Sequence, residues 1–286
     1  MIIYEDKKIA VITDTSSDLT DELIDSYGIY MVSLNVICQR GEFRDRLEIT
    51  SDEVYTMLKR ELPKSSLPFA EDIGSLYNRL IQQGCTDILH ICISSGLSGT
   101  YGMTSLVADE FRDKVRVFVY DSKTLSAGLG LLVMEACRVL KKTGDPLAAM
   151  EQITRIRESQ LGCFVIKTLE YLRKGGRIGL VEGAMGALLQ IKPVIFVNPN
   201  GVYQTLVKAR GFTAAIDVML DEVYFRYKDM KIRLAIVHGQ ARDEAEKILE
   251  RLKGKLTIVD SYIASVSPVL AIHTGPGLLG IIAQEY

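Results

Sequence analysis

The feature that most constrains this chain is a recurring pattern of a short apolar run, a cluster of Ser, Thr, Gly or Asp, and a helical segment. Such runs are typical of parallel strands that are buried on both faces and connected by crossover helices. The pattern predicts strands over residues 9–13, 88–93 and 115–120. The expected helices begin near residue 18 and residue 100, follow residue 68, and span 50–62, 124–143 and 146–158. The first half is therefore predicted to form a doubly wound α/β sheet.

The second half has a different pattern, in which apolar runs flank a turn. Asn198-Pro199-Asn200-Gly201 separates runs at 191–197 and 202–207 and predicts an antiparallel hairpin. A strand over 232–238, a helix over 243–253 and three further apolar runs follow. A mixed sheet with helices is expected here.

Length and charge both favour two domains. At roughly 150 residues per domain, the 286 residues divide near position 155, which gives an N-terminal α/β domain over 1–155 and a C-terminal α/β domain over 156–286. The first part carries 17 basic and 23 acidic residues and the second 17 and 13, so the formal charge of −2 conceals an asymmetry. A total so close to zero provides no general attraction for nucleic acid.

Several classes of protein are disfavoured by what the sequence lacks. No run approaches the ~20 apolar residues of a membrane helix, and the first residues do not resemble a secretory signal, so we expect a cytoplasmic protein that does not span a membrane. Five cysteines without a CxxC pair indicate neither a disulfide framework nor zinc. With no HExxH or DxDxDG pattern either, we expect no metal and no other cofactor.

Hydroxyl residues crowd three predicted strand ends, at residues 14–17, 94–100 and 121–124. The carboxyl ends of parallel strands meet at one edge, where ligands bind, and hydroxyls with free backbone N–H groups can hold a carboxylate or phosphate. Ser and Thr also cap helices for structural reasons alone, so both explanations stay open. The loop at 94–100 matches neither a P-loop nor GxSxG, which disfavours nucleotide binding and nucleophile-elbow hydrolysis.

Three histidines are available as bases or ligands. His90 lies inside an apolar strand and is expected to be a core histidine, while His238 ends a strand and is ambiguous. His273 begins His273-Thr274-Gly275-Pro276-Gly277, which predicts a tight turn between two apolar runs. A histidine fixed there can hydrogen-bond an acid head group, although a turn histidine can equally face water.

Basic residues concentrate in two stretches, Arg173-Lys174-Gly175-Gly176-Arg177 and Lys208-Ala209-Arg210. They can receive a phosphate or an acidic partner, or form a solvated turn at a helix C-terminus. Two segments of small residues, 126–131 and 183–189, leave room for an apolar ligand or for close helix packing.

Seven segments occur in an order typical of one bacterial family. They are Ile12-Thr13-Asp14-Thr15-Ser16-Ser17-Asp18-Leu19, Ser65-Ser66-Leu67-Pro68, Ile93-Ser94-Ser95-Gly96-Leu97-Ser98-Gly99-Thr100-Tyr101, Asp121-Ser122, Leu169-Glu170-Tyr171-Leu172-Arg173-Lys174-Gly175-Gly176-Arg177-Ile178, Lys192-Pro193 and His273-Thr274-Gly275-Pro276-Gly277. On these segments, which span nearly the whole chain, the protein resembles the DegV family of fatty-acid-binding proteins.

The resemblance implies a two-domain carrier that buries one long acyl chain, such as palmitate or oleate, between its domains. It implies that the carrier presents the carboxyl group to a separate ATP-binding kinase subunit, which makes acyl phosphate for phospholipid synthesis. Transient contact with a membrane is compatible with this role. The same residues are also compatible with an alternative function, that of a hydrolase or phosphotransferase that acts on a small carboxylate.

The site residues follow from the family motifs. The head-group residues implied by motif position are Ser65, Ser95 and His273, with Ser94 and Thr274 as neighbours. Arg173 and Arg210 would face the kinase or the transferred phosphate.

The chain departs from the family pattern in three places. The usual Thr-Ser-Gln-Pro reads Ser65-Ser66-Leu67-Pro68, which keeps the first hydroxyl and loses an amide, and the usual Asp-Ser-Thr reads Asp14-Thr15-Ser16. Two glycines that commonly precede the histidine are replaced by Ser267 and Ala271. We therefore expect a different contact at Ser65 and a different tunnel wall or chain preference.

Overall fold

Strands and helices alternate along the chain. The computed structural model describes residues 1–184 and 190–286, without the side chains of 182–184. The strands are β1 (Ile2–Tyr4), β2 (Lys7–Asp14), β3 (Tyr30–Val32), β4 (Asn35–Cys38), β5 (Gly41–Arg44), β6 (Lys64–Ser66), β7 (Asp87–Cys92), β8 (Arg116–Asp121), β9 (Leu161–Val165), β10 (Ile191–Val197), β11 (Tyr203–Arg210), β12 (Lys231–His238), β13 (Thr257–Ser265) and β14 (Leu279–Glu285). The helices are α1 (Asp21–Tyr27), α2 (Ser51–Met57), α3 (Ala70–Gln82), α4 (Thr100–Asp109), α5 (Ala127–Thr143), α6 (Pro146–Ser159), α7 (Glu170–Lys174), α8 (Phe212–Tyr227), α9 (Arg242–Lys253) and α10 (Pro268–Thr274).

A five-stranded sheet forms the first half. Strands β2, β7 and β8 are parallel neighbours, β3 pairs in parallel with the end of β2, and the short β1 pairs antiparallel with its start. The three predicted parallel strands are confirmed. Their carboxyl ends bring the hydroxyl-rich segments 14–17, 94–100 and 121–124 to one edge of the sheet, as expected.

Two helix boundaries differ from the prediction. Thr50 makes a capping box with Glu53, but α2 ends at Met57 and not near residue 62, because residues 58–60 form turns in place of a further helical turn. The helix expected near residue 18 begins at Asp21. A short 3-10 turn precedes it and ends at Asp18, whose φ of 49° is incompatible with a continuing helix.

The start of α5 is a third correction. The helix begins at Ala127 and not at residue 124, since Ser126 has a φ of 54°. Its predicted end is confirmed, because Gly144 adopts a left-handed conformation directly after the helix.

A small antiparallel sheet in the order β5-β4-β6 was not predicted. Lys64–Ser66, which lies between two predicted helices, is strand β6 and pairs with β4, with Ser65 opposite Val36. The three polar residues have no apolar alternation, so backbone pairing alone defines this strand.

The second half forms a six-stranded mixed sheet in the order β11-β10-β9-β14-β12-β13. The predicted hairpin is confirmed as β10 and β11, and β12 is parallel to β13 and antiparallel to β14. The predicted segment 183–189 lies outside the described residues, apart from the backbone of Gly183 and Ala184.

Helix α5 connects the two sheets. Its buried side chains, among them Leu129 and Leu132, belong to one hydrophobic core with Ala235 and Val237 of β12. The two-domain α/β architecture agrees with the prediction, and the boundary near residue 155 falls inside α6, where it stays a prediction. Within the described part of the chain, no helix has the length and apolar character needed to cross a membrane.

Candidate functional site

Two adjoining cavities lie between the carboxyl edge of the first sheet and the face of the second. The cavity volume of the mouth is about 190 Å³ and that of the tail cavity about 40 Å³, so a long apolar ligand fits the tail cavity only when its walls move apart. They share the walls formed by Leu125, Tyr203 and Leu270. The polar residues of the mouth are Ser65, Ser66, Ser98, Arg177, Tyr203 and His273. The tail cavity is lined mainly by apolar side chains, among them Cys163, Phe164, Val197, Val237, Leu278 and Ile282.

The mouth brings together two predicted head-group residues from distant parts of the chain. The hydroxyl oxygen of Ser65 lies 2.8 Å from Nε2 of His273, and 208 positions separate the two residues. His273 was expected in a tight turn, but it lies in the last turn of α10, and the chain turns only at Gly275. The helix continues because its residues are buried and apolar apart from His273 and Thr274.

Burial determines the charge of His273. The ring is buried, which lowers its pKa to about 4, and the positive charge of Arg177 acts in the same direction. The imidazole is therefore neutral near pH 7. Its Nδ1 atom is buried and has no hydrogen-bond partner among the described residues. We assign the single proton to Nε2, which then donates to Ser65 Oγ and leaves the serine hydroxyl free to donate into the mouth.

Gly175 explains why nothing else approaches Nδ1. A Cβ atom at this position would lie 2.8 Å from Cε1 of His273 and closer still to Nδ1. The backbone of Gly175 is right-handed helical (φ −77°, ψ −6°), so no conformational demand calls for glycine there. The space is taken by the His273 ring, and close approach is the reason for glycine.

Arg177 is a site residue that the sequence reasoning did not select. It lines the mouth and donates from Nη1 to the carbonyl of Gly175 at 2.7 Å. Arg173, which was assigned a role from the same basic stretch, is exposed at the end of α7. The stretch Arg173 to Arg177 was recognised, but the sequence carries no signal for which cation faces inward, because this depends on the turn at Gly176 (φ 70°).

The remaining predicted head-group residues have other contacts. The Ser94 hydroxyl donates to the carbonyl of Gly201 at 2.8 Å and so joins the loop after β7 to the β10–β11 hairpin. Ser95 is exposed, and its hydroxyl accepts a hydrogen bond from Lys123 Nζ at 2.9 Å. Thr274 lines the tail cavity and donates to the carbonyl of Leu270. From the loop after β7, Ser98 and not Ser95 reaches the mouth.

Arg210 lies outside the mouth. It is exposed at the end of β11 and donates from Nε to Gln190 Oε1 at 3.0 Å. Arg173 and Arg210 are therefore both available at the surface of the second half.

Burial shifts the pKa values of the other two histidines and of the cysteine in the tail cavity. His90 is buried in β7, bonds Tyr77 through Nδ1 at 2.9 Å and has a pKa lowered to about 3 by burial, as expected of a core histidine. Burial lowers the pKa of His238 as well. In the tail cavity, burial raises the pKa of the Cys163 thiol to about 12, which leaves it unreactive near pH 7. Across the described residues no group of three His, Cys, Asp or Glu side chains could hold a metal ion.

Comparison with protein families gives one match over almost the whole chain. The family model described as an uncharacterised protein of the DegV family matches residues 8–285. The chain belongs to the DegV family. A DegV domain-containing protein of Clostridium acetobutylicum is 38% identical over 280 residues, which cover 98% of this chain and 99% of that protein.

Solved structures of DegV proteins share the fold. A DegV family protein from Thermus thermophilus, described as fatty-acid binding, has a TM-score of 0.91 and 30% identity, with 98% of this chain and 100% of that chain covered. DegV from Bacillus subtilis, described as a fatty acid binding protein, has a TM-score of 0.88 and 26% identity over 98% and 100% of the two chains. A stearic acid-binding protein from Eubacterium ventriosum has a TM-score of 0.86 and 25% identity over 97% and 98%.

The departures of this DegV chain from the family pattern lie beside the site. Leu67 lines the mouth next to Ser65 and Ser66. Ala271 is fully buried within α10, and Ser267 precedes the helix as its N-cap residue. Leu67 follows the strand that carries Ser65, and Ser267 and Ala271 lie at the start and inside the helix that carries His273; of the three, Leu67 lines the mouth.

Proposed function

We propose that this DegV chain binds one long-chain fatty acid, such as palmitate or oleate, with its carboxylate in the mouth and its acyl chain in the tail cavity. The observation that carries the proposal is the adjoining pair of cavities, one with hydroxyls, a neutral histidine and an arginine, the other almost wholly apolar. Three structural relatives are described as fatty acid binders, which supports the same ligand class here.

The acyl chain supplies the affinity. At ~0.8 kcal/mol per buried CH₂, a sixteen-carbon chain contributes on the order of 10 kcal/mol before the costs of ordering are subtracted. Few polar contacts are then required for tight binding.

The carboxylate requires donors, because an unpaired charge in a buried site costs several kcal/mol. Ser65 provides a hydroxyl whose proton is free once Nε2 of His273 donates to its oxygen. Arg177 adds a positive charge in the same mouth. The bound carboxylate would pair with the positive charge of Arg177 and accept a hydrogen bond from the Ser65 hydroxyl, while His273 stays neutral.

The geometry favours binding over hydrolysis. A serine–histidine pair acts efficiently as nucleophile and base when a third group orients the histidine and when the pKa of the histidine lies near the working pH. Here Nδ1 of His273 has no acceptor in the described part of the chain, and the pKa is lowered to about 4. We infer that Ser65 is a carboxylate ligand and not a nucleophile, and that the protein is not an enzyme.

We further propose that the bound carboxyl group is presented to an ATP-binding kinase subunit. Arg173 and Arg210 are exposed on the second half, which carries the net positive charge, and both suit contact with an acidic partner or a phosphate. Ser95 is exposed near the edge of the first sheet, so a role for it fits the docked state better than carboxylate binding in the mouth.

The decisive experiment is extraction of the purified protein with organic solvent, followed by mass spectrometry of the released lipid and by uptake of palmitate and oleate after delipidation. The matched variants are Gly162→Leu and Gly102→Leu. Gly162 lines the tail cavity, whereas a Cβ atom on the exposed Gly102 of α4 meets nothing within 4 Å. We expect one fatty acid per chain in the wild type and in Gly102→Leu, with strongly reduced occupancy in Gly162→Leu. A wild-type protein that contains no lipid and takes up none would refute the proposal.

A further inference from the structure

We propose that Asp18 and Asp45 are positioning residues of the carboxylate site: they bind the amino end of α10 and thereby hold His273 against Ser65. This inference rests on the function proposed above, because it treats the mouth as the place where a carboxylate binds.

Helix α10 belongs to the second half of the chain, but carboxylates from the first half bind its amino end. Asp18 Oδ1 accepts the Ser267 N–H at 2.8 Å, and Asp45 Oδ1 accepts the Val269 N–H at 3.2 Å. Pro268, between them, has no N–H, and the Ser267 side chain makes no capping hydrogen bond. The two amide donors of the first positions are therefore satisfied by residues more than 200 positions away.

The other end of the same helix carries His273. Its ring is fixed by Ser65, also from the first half, and by the close approach of Gly175. At about 1.5 Å per residue the helix is only ~10 Å long. A shift of its amino end is therefore transmitted to His273, which needs its 2.8 Å contact with Ser65 to keep a hydrogen bond.

Both carboxyl groups lie where burial makes a negative charge unfavourable. This cost distinguishes a specific contact with α10 from an incidental one. Asp18 is 2% and Asp45 is 0% exposed. Burial raises the pKa of Asp18 to about 6 and that of Asp45 to about 7, where the nearby charge of Asp18 adds to the effect. The positive charge of Arg46 lowers the pKa of both carboxyl groups, and the negative charge of Asp18 raises the pKa of the Tyr55 phenol.

The second oxygens of the two carboxylates differ in their contacts. The second oxygen of Asp18 accepts a hydrogen bond from the Ser126 hydroxyl, while Oδ2 of Asp45 has no partner within the described residues. The side chain of Thr15 and the backbone N–H of Val269 in α10 both favour the charged form of Asp45, and the contact with α10 is the one that reaches the second half of the chain.

The test is NMR of the ring nitrogens after ¹⁵N-histidine labelling of the full chain, which has three histidines. Asp45→Ala removes the acceptor for Val269, whereas Asp45→Asn keeps a side-chain oxygen there. We expect Asp45→Ala to move the His273 resonances and to raise its pKa from about 4 toward the ordinary 6.5, while Asp45→Asn stays near the wild type. His90, in the core of the first half, should be unchanged in both variants and reports an intact fold. The dissociation constant for palmitate should rise roughly tenfold in Asp45→Ala only.

Unchanged His273 resonances in Asp45→Ala, or equal shifts in Asp45→Ala and Asp45→Asn, would overturn the proposal. If Asp45→Ala does not fold, Asp18→Gly and Asp18→Asn replace the pair, because both residues tolerate the φ of 49° at this position. A wild type that binds no palmitate would refute the proposed function, but the His273 resonances of the ligand-free protein would still decide whether Asp18 and Asp45 position the ring.

Discussion

Substitution of Gly175 by alanine tests the geometry of the mouth with a single methyl group. The new Cβ would lie 2.8 Å from Cε1 of His273, whereas ordinary contacts begin at 3.4 Å, so the ring must retreat by at least 0.6 Å and further at Nδ1. The carbonyl oxygen of Tyr171 would lie 3.0 Å from the same Cβ, and as a backbone atom it yields less readily than a side chain.

The displacement of His273 disturbs its contact with Ser65. The Nε2–Oγ distance is 2.8 Å, and a ring that moves by 0.6 Å or more changes the length or the angle of that hydrogen bond. We expect loss of one hydrogen bond and of the ordered serine hydroxyl, at a cost of about 1 to 2 kcal/mol in ligand binding, or roughly five- to thirty-fold in the dissociation constant. The backbone at Gly175 is helical, so the stability of the fold should fall by much less than in a strained position.

The assay is displacement of a fluorescent fatty acid from the delipidated protein, combined with thermal unfolding. Gly102→Ala on α4 is the control, since its Cβ contacts nothing within 4 Å. Gly175→Ala should weaken palmitate binding while a methyl ester of palmitate, which lacks the carboxylate, loses little. Equal affinity of Gly175→Ala and wild type for palmitate would refute the assignment of His273 and Ser65 to carboxylate binding.

Three further outcomes are expected. Gly162→Ala places a methyl group in the tail cavity, where its nearest contact is Ile282 Cγ1 at 3.7 Å, so the stability of the fold should not change. Competition assays with a series of fatty acids should show a preference for shorter chains than in the wild type. An unaltered preference would contradict the placement of the acyl chain. The pKa of His273 is lowered from 6.5 to about 4, so between these pH values the unfolded chain binds a proton at this residue more readily than the folded chain does. In denaturant titrations, the free energy of unfolding of the wild type relative to His273→Gln should therefore rise by up to about 3 kcal/mol from pH 4 to 6.5. A difference that does not change with pH would contradict this. Arg173→Glu should reduce phosphorylation of bound lipid by the kinase while lipid occupancy, measured by mass spectrometry, stays constant; lost occupancy would count against a docking role.

Strands β2, β7 and β8 of the first sheet were predictable because each contains a continuous apolar run, which in β2 and β7 is buried on both faces. Strands β1 and β3, with three residues each, were not predicted. The small sheet was not, because β6 consists of Lys64, Ser65 and Ser66 and is defined by backbone pairing with β4. A strand of three polar residues has the same local sequence as a loop, so only the tertiary context reveals it.

The candidate site was predictable in part. Family motifs pointed to Ser65 and His273, which the structure brings within 2.8 Å, although no local pattern relates positions 208 residues apart. The same motifs pointed to Ser95, which is exposed, and left out Arg177, which lines the mouth. In the loop after β7 and in the stretch from Arg173 to Arg177, a turn of the backbone determines which of several similar side chains faces inward. The amino-acid composition of these segments does not indicate which one it is.

The central claim is that one fatty acid carboxylate binds beside Ser65, Arg177 and His273. The most direct test is ¹³C NMR of palmitate labelled at its carboxyl carbon and bound to the delipidated chain. We predict a single bound resonance, distinct from free palmitate, which shifts in both Ser65→Ala and Arg177→Gln. Absence of a bound resonance, or a bound resonance that neither substitution moves, would contradict the account.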